Sequence, residues 1–95
     1  MVKWTEPAKT NLRKIHDFIA TDSPVYAKKF VKVMVERVER IALMPKSGRI
    51  VPEFDDENLR EIILAPYRVI YGIIGDETIV LAVIHAKQNI SGGLP

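Results

Sequence analysis

The sequence predicts an α+β fold, an antiparallel sheet of about four strands with an N-terminal helical hairpin packed on one face, in the order β-α-α-β-β-β. Three observations carry this. Apolar residues recur at helical spacing through the first half, as Ala8, Leu12, Ile15 and Ile19 and again as Ala27, Phe30, Val31, Met34, Val38, Ile41 and Ala42. After residue 58 the pattern changes to three runs rich in β-branched and aromatic residues. Links of two or three residues at Ala65-Pro66 and Gly75-Asp76-Glu77 force those runs into antiparallel neighbours. A chain of 95 residues has room for one domain, 1–95, around a single core.

Each element has a local cause. Val2 to Thr5 is short and β-tending, and Glu6-Pro7 stops it. Thr5 suits an N-cap, Glu6 suits the positive helix end, and Pro7 is tolerated in the first turn. The first helix should run to about Ala20, where Thr21 and Asp22 break it. Ser23-Pro24 restarts helix as N-cap and first helical residue, and so short a link makes the two helices an antiparallel hairpin. The second helix places Lys28, Lys29, Lys32, Glu36, Glu39 and Arg40 opposite its apolar stripe, with Val33 off the stripe. It should end near Met44, before Pro45 and the turn chemistry of Lys46-Ser47-Gly48.

Residues 48–58 read as a loop with a short extended piece at Arg49 to Pro52. The strands follow as Leu59 to Leu64, Tyr67 to Ile74 and Thr78 to His85, and Val2 to Thr5 must lie against one of them. Ser91 to Pro95 reads as a frayed tail. With the helices on one face, no element is left for the other, so the sheet should present a bare apolar face that binds a partner.

Composition narrows the function. Without cysteine there is no disulfide framework, thiolate nucleophile or Cys-based zinc site, and this suits a reducing cytosol. No signal-like segment and no run of about twenty apolar residues occurs, so a cytoplasmic, soluble chain off the membrane is expected. The net charge of +2 hides an asymmetry, because 11 of the 14 Lys and Arg lie at or before Arg49 and 7 of the 12 Asp and Glu lie after it. The basic helical half is a solvated face or a surface for phosphate or acidic protein.

The ionisable groups within the apolar strands are the candidates for chemistry. Strand alternation puts Arg68 on the face opposite Tyr67, Val69 and Tyr71. If the tyrosines pack under the helices, its guanidinium projects from the open face, suited to phosphate or carboxylate; the alternative is a pairing with Glu61 on the next strand. Arg60 and Glu61 point to opposite faces, and a two-residue turn at Ala65-Pro66 puts Glu61 beside Arg68 whereas a longer one puts Arg60 there. His85 ends the last strand near a rim, where it can serve as acid or base or as a structural residue. His16 lies on a helix flank and is taken as inert. The two histidines have no metal-ligand spacing, and no cofactor motif is present, so neither metal nor cofactor is expected.

In these residues the chain resembles the RelE/ParE superfamily, the toxin half of type II toxin-antitoxin (plasmid stabilisation) modules. The matching segments are Val2 to Ala8, Ile19-Ala20 with Ser23-Pro24, Met44-Pro45 through Gly48-Arg49, Leu59-Arg60-Glu61, Tyr67 to Tyr71, and Val80 to His85. Their order spans nearly the whole chain. The resemblance implies a compact toxin neutralised by a cognate antitoxin that folds over its surface, and the bare sheet face would suit such a segment. The superfamily divides between ribosome-dependent mRNA endonucleases, resembling RelE, and poisons of DNA gyrase, resembling ParE. Gly48-Arg49 with Tyr67-Arg68-Val69-Ile70-Tyr71 is closer to the ParE branch, so the chain is expected to bind gyrase and not to be an enzyme.

Under the alternative, an mRNA interferase acting on ribosome and mRNA, Arg68 and His85 are the catalytic candidates. A third alternative is an inactive relative kept as a protein-binding module. For contact with target or antitoxin the candidates are Arg60, Glu61, Arg68, His85 and Lys87. Lys87 stands where relatives carry arginine, and an exposed apolar face would also permit a homodimer without antitoxin.

Overall fold

A computed structural model describes residues 2–94. The chain runs β1 (Val2–Trp4), α1 (Glu6–Ala20), α2 (Pro24–Ile41), a 3-10 turn (Pro45–Ser47), β2 (Arg49–Ile50), β3 (Leu59–Leu64), β4 (Tyr67–Ile74) and β5 (Glu77–His85). The sheet order is β1-β5-β4-β3-β2. β1 lies parallel to β5, with Val2 opposite Thr78, and the other pairings are antiparallel. Five strands form where about four were expected, because the extended piece at Arg49-Ile50 pairs with Arg60 and Glu61 as an edge strand.

The helix starts follow their capping residues. The Thr5 hydroxyl accepts from the Ala8 amide at 3.2 Å, and the Ser23 hydroxyl accepts from the Tyr26 amide at 3.1 Å. Such caps satisfy amides that have no partner within the helix, each stabilising the helix by about 1 kcal/mol. α2 ends at Ile41, three residues before the expected stop, because the chain tightens there into turns that lead to Pro45.

Two apolar clusters sandwich the sheet. Under the helices, Ala8, Met34 and Val38 meet Val69, Val80 and Val83, with Tyr67 and Leu12 packed alongside. On the other face lies a second cluster of Val51, Ile70, Ala82, Ile84 and Ile90, flanked by Phe54, Leu59 and Leu94. The expected bare face is therefore closed. Its cover carries no regular structure: the 51–54 loop and the chain after His85 cross it, and periodicity cannot detect a single apolar residue in an irregular segment. The expected frayed tail, Ser91 to Pro95, is corrected at Leu94, which packs against the same cluster just as the buried Ile90 before it does, while Pro95 lies outside the described residues. A bulge between the Ile70-Ala82 and Tyr71-Val80 pairs leaves Leu81 as the extra residue of β5.

Candidate functional site

The turn at Ala65-Pro66 is the two-residue form, for Leu64 pairs directly with Tyr67. Glu61 therefore stands opposite Ile70, and Ile63 opposite Arg68, which puts Glu61 on the Arg68 face. Arg68 is 4% exposed. It does not project from an open face, because the 51–54 loop and the C-terminal segment lie over it. Its Nη1 and Nη2 donate to the two carboxylate oxygens of Glu53 at 2.8 Å each, a bidentate pair. Nε donates to Glu61 Oε1 at 2.7 Å, Nη2 also lies 2.7 Å from that oxygen, and Nη1 donates to the Gln88 carbonyl at 2.8 Å.

No nitrogen of this guanidinium is left free. Arg49 reaches the second oxygen of Glu61, so two arginines and two carboxylates form a neutral cluster. The electrostatics follow from this geometry. Hydrogen bonding from Arg68 outweighs burial and holds the Glu53 carboxyl down at about 2 from an ordinary 4.5. The same bonds from Glu53 push Arg68 further above its already high value. Glu53 is a site residue that sequence reasoning misses, because an acidic residue two positions after Val51 in a polar loop gives no signal of burial.

Arg60 occupies the opposite face, across from Tyr71. Its guanidinium donates to the carbonyls of Glu57, Lys46 and Gly48 at 2.8 to 3.0 Å, tying down the loops that flank β2. The Tyr71 hydroxyl completes this anchor by donating to Pro45 O at 2.6 Å and accepting from the Gly48 amide at 3.0 Å. Burial pushes the pKa of this hydroxyl up.

His85 pairs with Tyr67 across the sheet and so lies on the helix side, whereas Arg68 pairs with Ile84 and faces away. The imidazole is exposed, stands edge-on to the Tyr67 ring with centroids 6.3 Å apart, and accepts the Lys87 amide at Nδ1. Tyr67 in turn meets Phe30, and Phe30 meets Tyr26. Lys87 is exposed on the segment that follows. The five predicted contact residues thus divide among a buried cluster (Glu61, Arg68), a loop anchor (Arg60) and a rim (His85, Lys87). Among the described residues, no three potential ligand side chains gather as a metal site requires.

A concave surface lies instead on the helix side, where a groove of about 480 Å3 has Trp4, Leu12, Val31 and Val35 along its apolar floor. Lys9, Arg13 and His16 stand at its edge. These positions follow from helical spacing, since 9, 12, 13 and 16 share one face of α1 while 31 and 35 share one face of α2. His16, expected to be inert, is part of this lining. Of the groove's apolar lining only Leu12 and Val31 belong to the stripes read from the sequence, so the sequence carries little signal for it.

The profile of the ParE toxin of the type II toxin-antitoxin system, parDE, matches residues 2–90. Among solved structures, the chain is similar to one of the chromosomal ParDE toxin-antitoxin system from P. aeruginosa. The identity is 25%, over 90% of this chain and 95% of that one, with a TM-score of 0.75. It also shares its fold with a chain of the RelB-RelE antitoxin-toxin complex from Methanococcus jannaschii, at 19% identity over 90% and 92% of the two chains and a TM-score of 0.57. No curated protein gives a significant sequence match. With the profile spanning every strand and both helices, the chain belongs to the ParE toxin family of type II toxin-antitoxin systems.

Proposed function

We infer that this chain is a toxin held in check by a cognate antitoxin and that its action is binding to DNA gyrase, not cleavage of RNA. One observation carries the choice: Arg68 and His85, the pair a ribonuclease would need, lie on opposite faces of the sheet. Acid-base cleavage requires a base and a cation within hydrogen-bond reach of one phosphate. Here the cation is already saturated by Glu53, Glu61 and Gln88. A binding mechanism needs no such convergence, and membership of the ParE family supports it.

For the antitoxin, the groove between the helices offers an apolar floor with cationic edges. An amphipathic segment with acidic flanks would bury its apolar side there, and the surrounding charge would speed its approach. The test adds purified protein to gyrase and relaxed plasmid. Gyrase-dependent double-strand breaks and loss of supercoiling are the expected result, relieved by the cognate antitoxin. Unaffected gyrase together with cuts in mRNA on translating ribosomes would overturn the proposal in favour of the interferase. Expression without antitoxin that leaves growth unaffected would favour the inactive binding module.

A further inference from the structure

The second sheet face is covered by two irregular segments that share one fastening. From the loop side, Val51 enters the apolar cluster and Glu53 grips Arg68 with both oxygens. From the C-terminal side, Ile90 enters the same cluster, and its amide donates to Glu53 Oε2 at 3.2 Å. The Gln88 carbonyl accepts from the same Arg68 nitrogen that donates to Glu53. Outside this cluster the 86–94 strap is bonded to the sheet region by Ala86 N–H to Pro66 O at 2.7 Å and Gln88 N–H to His85 O at 3.0 Å.

The loop keeps its own turn, with Phe54 and Asp55 amides donating to Val51 O. A carboxylate that serves both segments makes each a condition of the other. If the strap lifts, Glu53 loses its Ile90 partner and Val51 loses its apolar cover; if the loop lifts, Arg68 keeps only Glu61 and Gln88, and Ile90 loses Val51.

We propose that residues 51–55 and 86–94 form one cooperative lid over Arg68 and the Ile70-Ala82-Ile84 strip, latched by Glu53, which opens and closes as a unit while the β3-β4-β5 ladder stays intact. Cooperative units of this kind open with free energies below that of global unfolding. The lid is then the device that keeps the guanidinium and the apolar strip away from solvent and from any partner.

Amide hydrogen exchange on the full chain tests this with Ile90→Val, a substitution mild enough to leave the fold standing. Loss of one buried methyl group should raise exchange at Ile90 and Gly93 by about two- to twelvefold. The cooperative lid requires the same factor at Val51, more than thirty residues away in sequence, whose amide donates to Leu59 O. It also requires, in the parent, one opening free energy shared by Val51 and Ile90 that is lower than that of the β4 and β5 amides. Glu53→Gln should accelerate both segments together as well. Acceleration confined to Ile90 and Gly93 would show two independent segments and overturn the proposal. Opening free energies at Val51 and Ile90 in the parent equal to those of the β4 and β5 amides would show that the face opens only by global unfolding and would overturn it too.

Discussion

Replacing Arg68 by alanine should be among the most damaging single changes the chain can suffer, through stability and without any need for a contact to a target. The substitution leaves Glu53, whose side chain is 12% exposed, without a cation, and Glu61, whose side chain is 0% exposed, with only the largely exposed Arg49. It also leaves the Gln88 carbonyl without its donor. Removing one partner of a buried ion pair costs about 3–5 kcal/mol, most of it from the charge left behind. Small domains are stable by roughly 5–15 kcal/mol, so the loss takes about a fifth of the total at the least. At about 4–8 °C per kcal/mol for this size, the melting temperature should fall by on the order of 12–40 °C.

Urea unfolding followed by the fluorescence of Trp4, the single tryptophan, reads this directly. Arg68→Lys should fall between the two, because one ammonium keeps the charge but cannot match the bidentate geometry. A double-mutant cycle of Arg68→Met with Glu61→Leu should show strong coupling, the double variant being less damaged than the sum of the singles. If Arg68→Ala unfolds within about 1 kcal/mol of the parent at an unchanged urea slope, the cluster is not what holds this face, and the reasoning fails.

Stability should also depend on pH through Glu53. Its folded pKa of about 2 lies below the ordinary 4.5, so its stabilisation is complete above about 4.5 and is lost as pH falls toward 2. Urea midpoints measured between pH 2 and 6 should show that slope in the parent and a flatter one in Glu53→Gln. Gly48→Ala should destabilise by roughly 1–3 kcal/mol, because the added Cβ would sit 2.4 Å from the Tyr71 hydroxyl and 2.8 Å from the Glu61 carbonyl. Tyr71→Phe removes the nearer clash, so thermal melts of the double variant should show less than additive loss. Arg13→Glu, at the groove edge, should leave the melting temperature unchanged while weakening antitoxin binding and its salt dependence in calorimetry; binding at parental strength would place the antitoxin elsewhere.

The helices and the three long strands were legible because each repeats its pattern over several residues, and the caps at Thr5 and Ser23 are read from single residues with local consequences. The closed face was not legible. Ile90 stands alone among polar neighbours, and Val51 lies in a loop, so neither gives a period; only tertiary contact shows that both cover Ile70 and Ala82. For the site, alternation correctly separated Arg68 from Tyr67, and the alternative pairing with Glu61 is the one that forms. Glu53 escaped notice because the sequence distance from Glu53 to Arg68, 15 residues with a full strand between, carries no local information about burial. The groove was not legible: the apolar stripes include Leu12 and Val31 of its lining but not Val35, and nothing local shows that β1 brings Trp4 beside them.

Closure of the second sheet face alters where a partner can act. An open apolar sheet would have offered both antitoxin and target the same ground, with Arg68 as a shared anchor. With one face under the helices and the other under the 51–55 and 86–94 segments, most large exposed apolar side chains gather in two places, and Val33, Ile50 and Ile63 are exposed singly elsewhere. Leu43, Met44 and Ile74 are exposed near the β4-β5 turn, and Phe18, Val25 and Tyr26 near the turn between the helices. Between those places the groove joins concavity, an apolar floor and cationic edges on the half of the chain that carries most of the positive charge. A neutralising segment laid in that groove would approach the molecule from the helix side. A target bound at either place would then be blocked by overlap or by bulk, a distinction that competition between antitoxin and gyrase for Met44→Asp and Tyr26→Asp variants would resolve. Loss of gyrase binding in one variant with antitoxin binding intact would assign the target to that place.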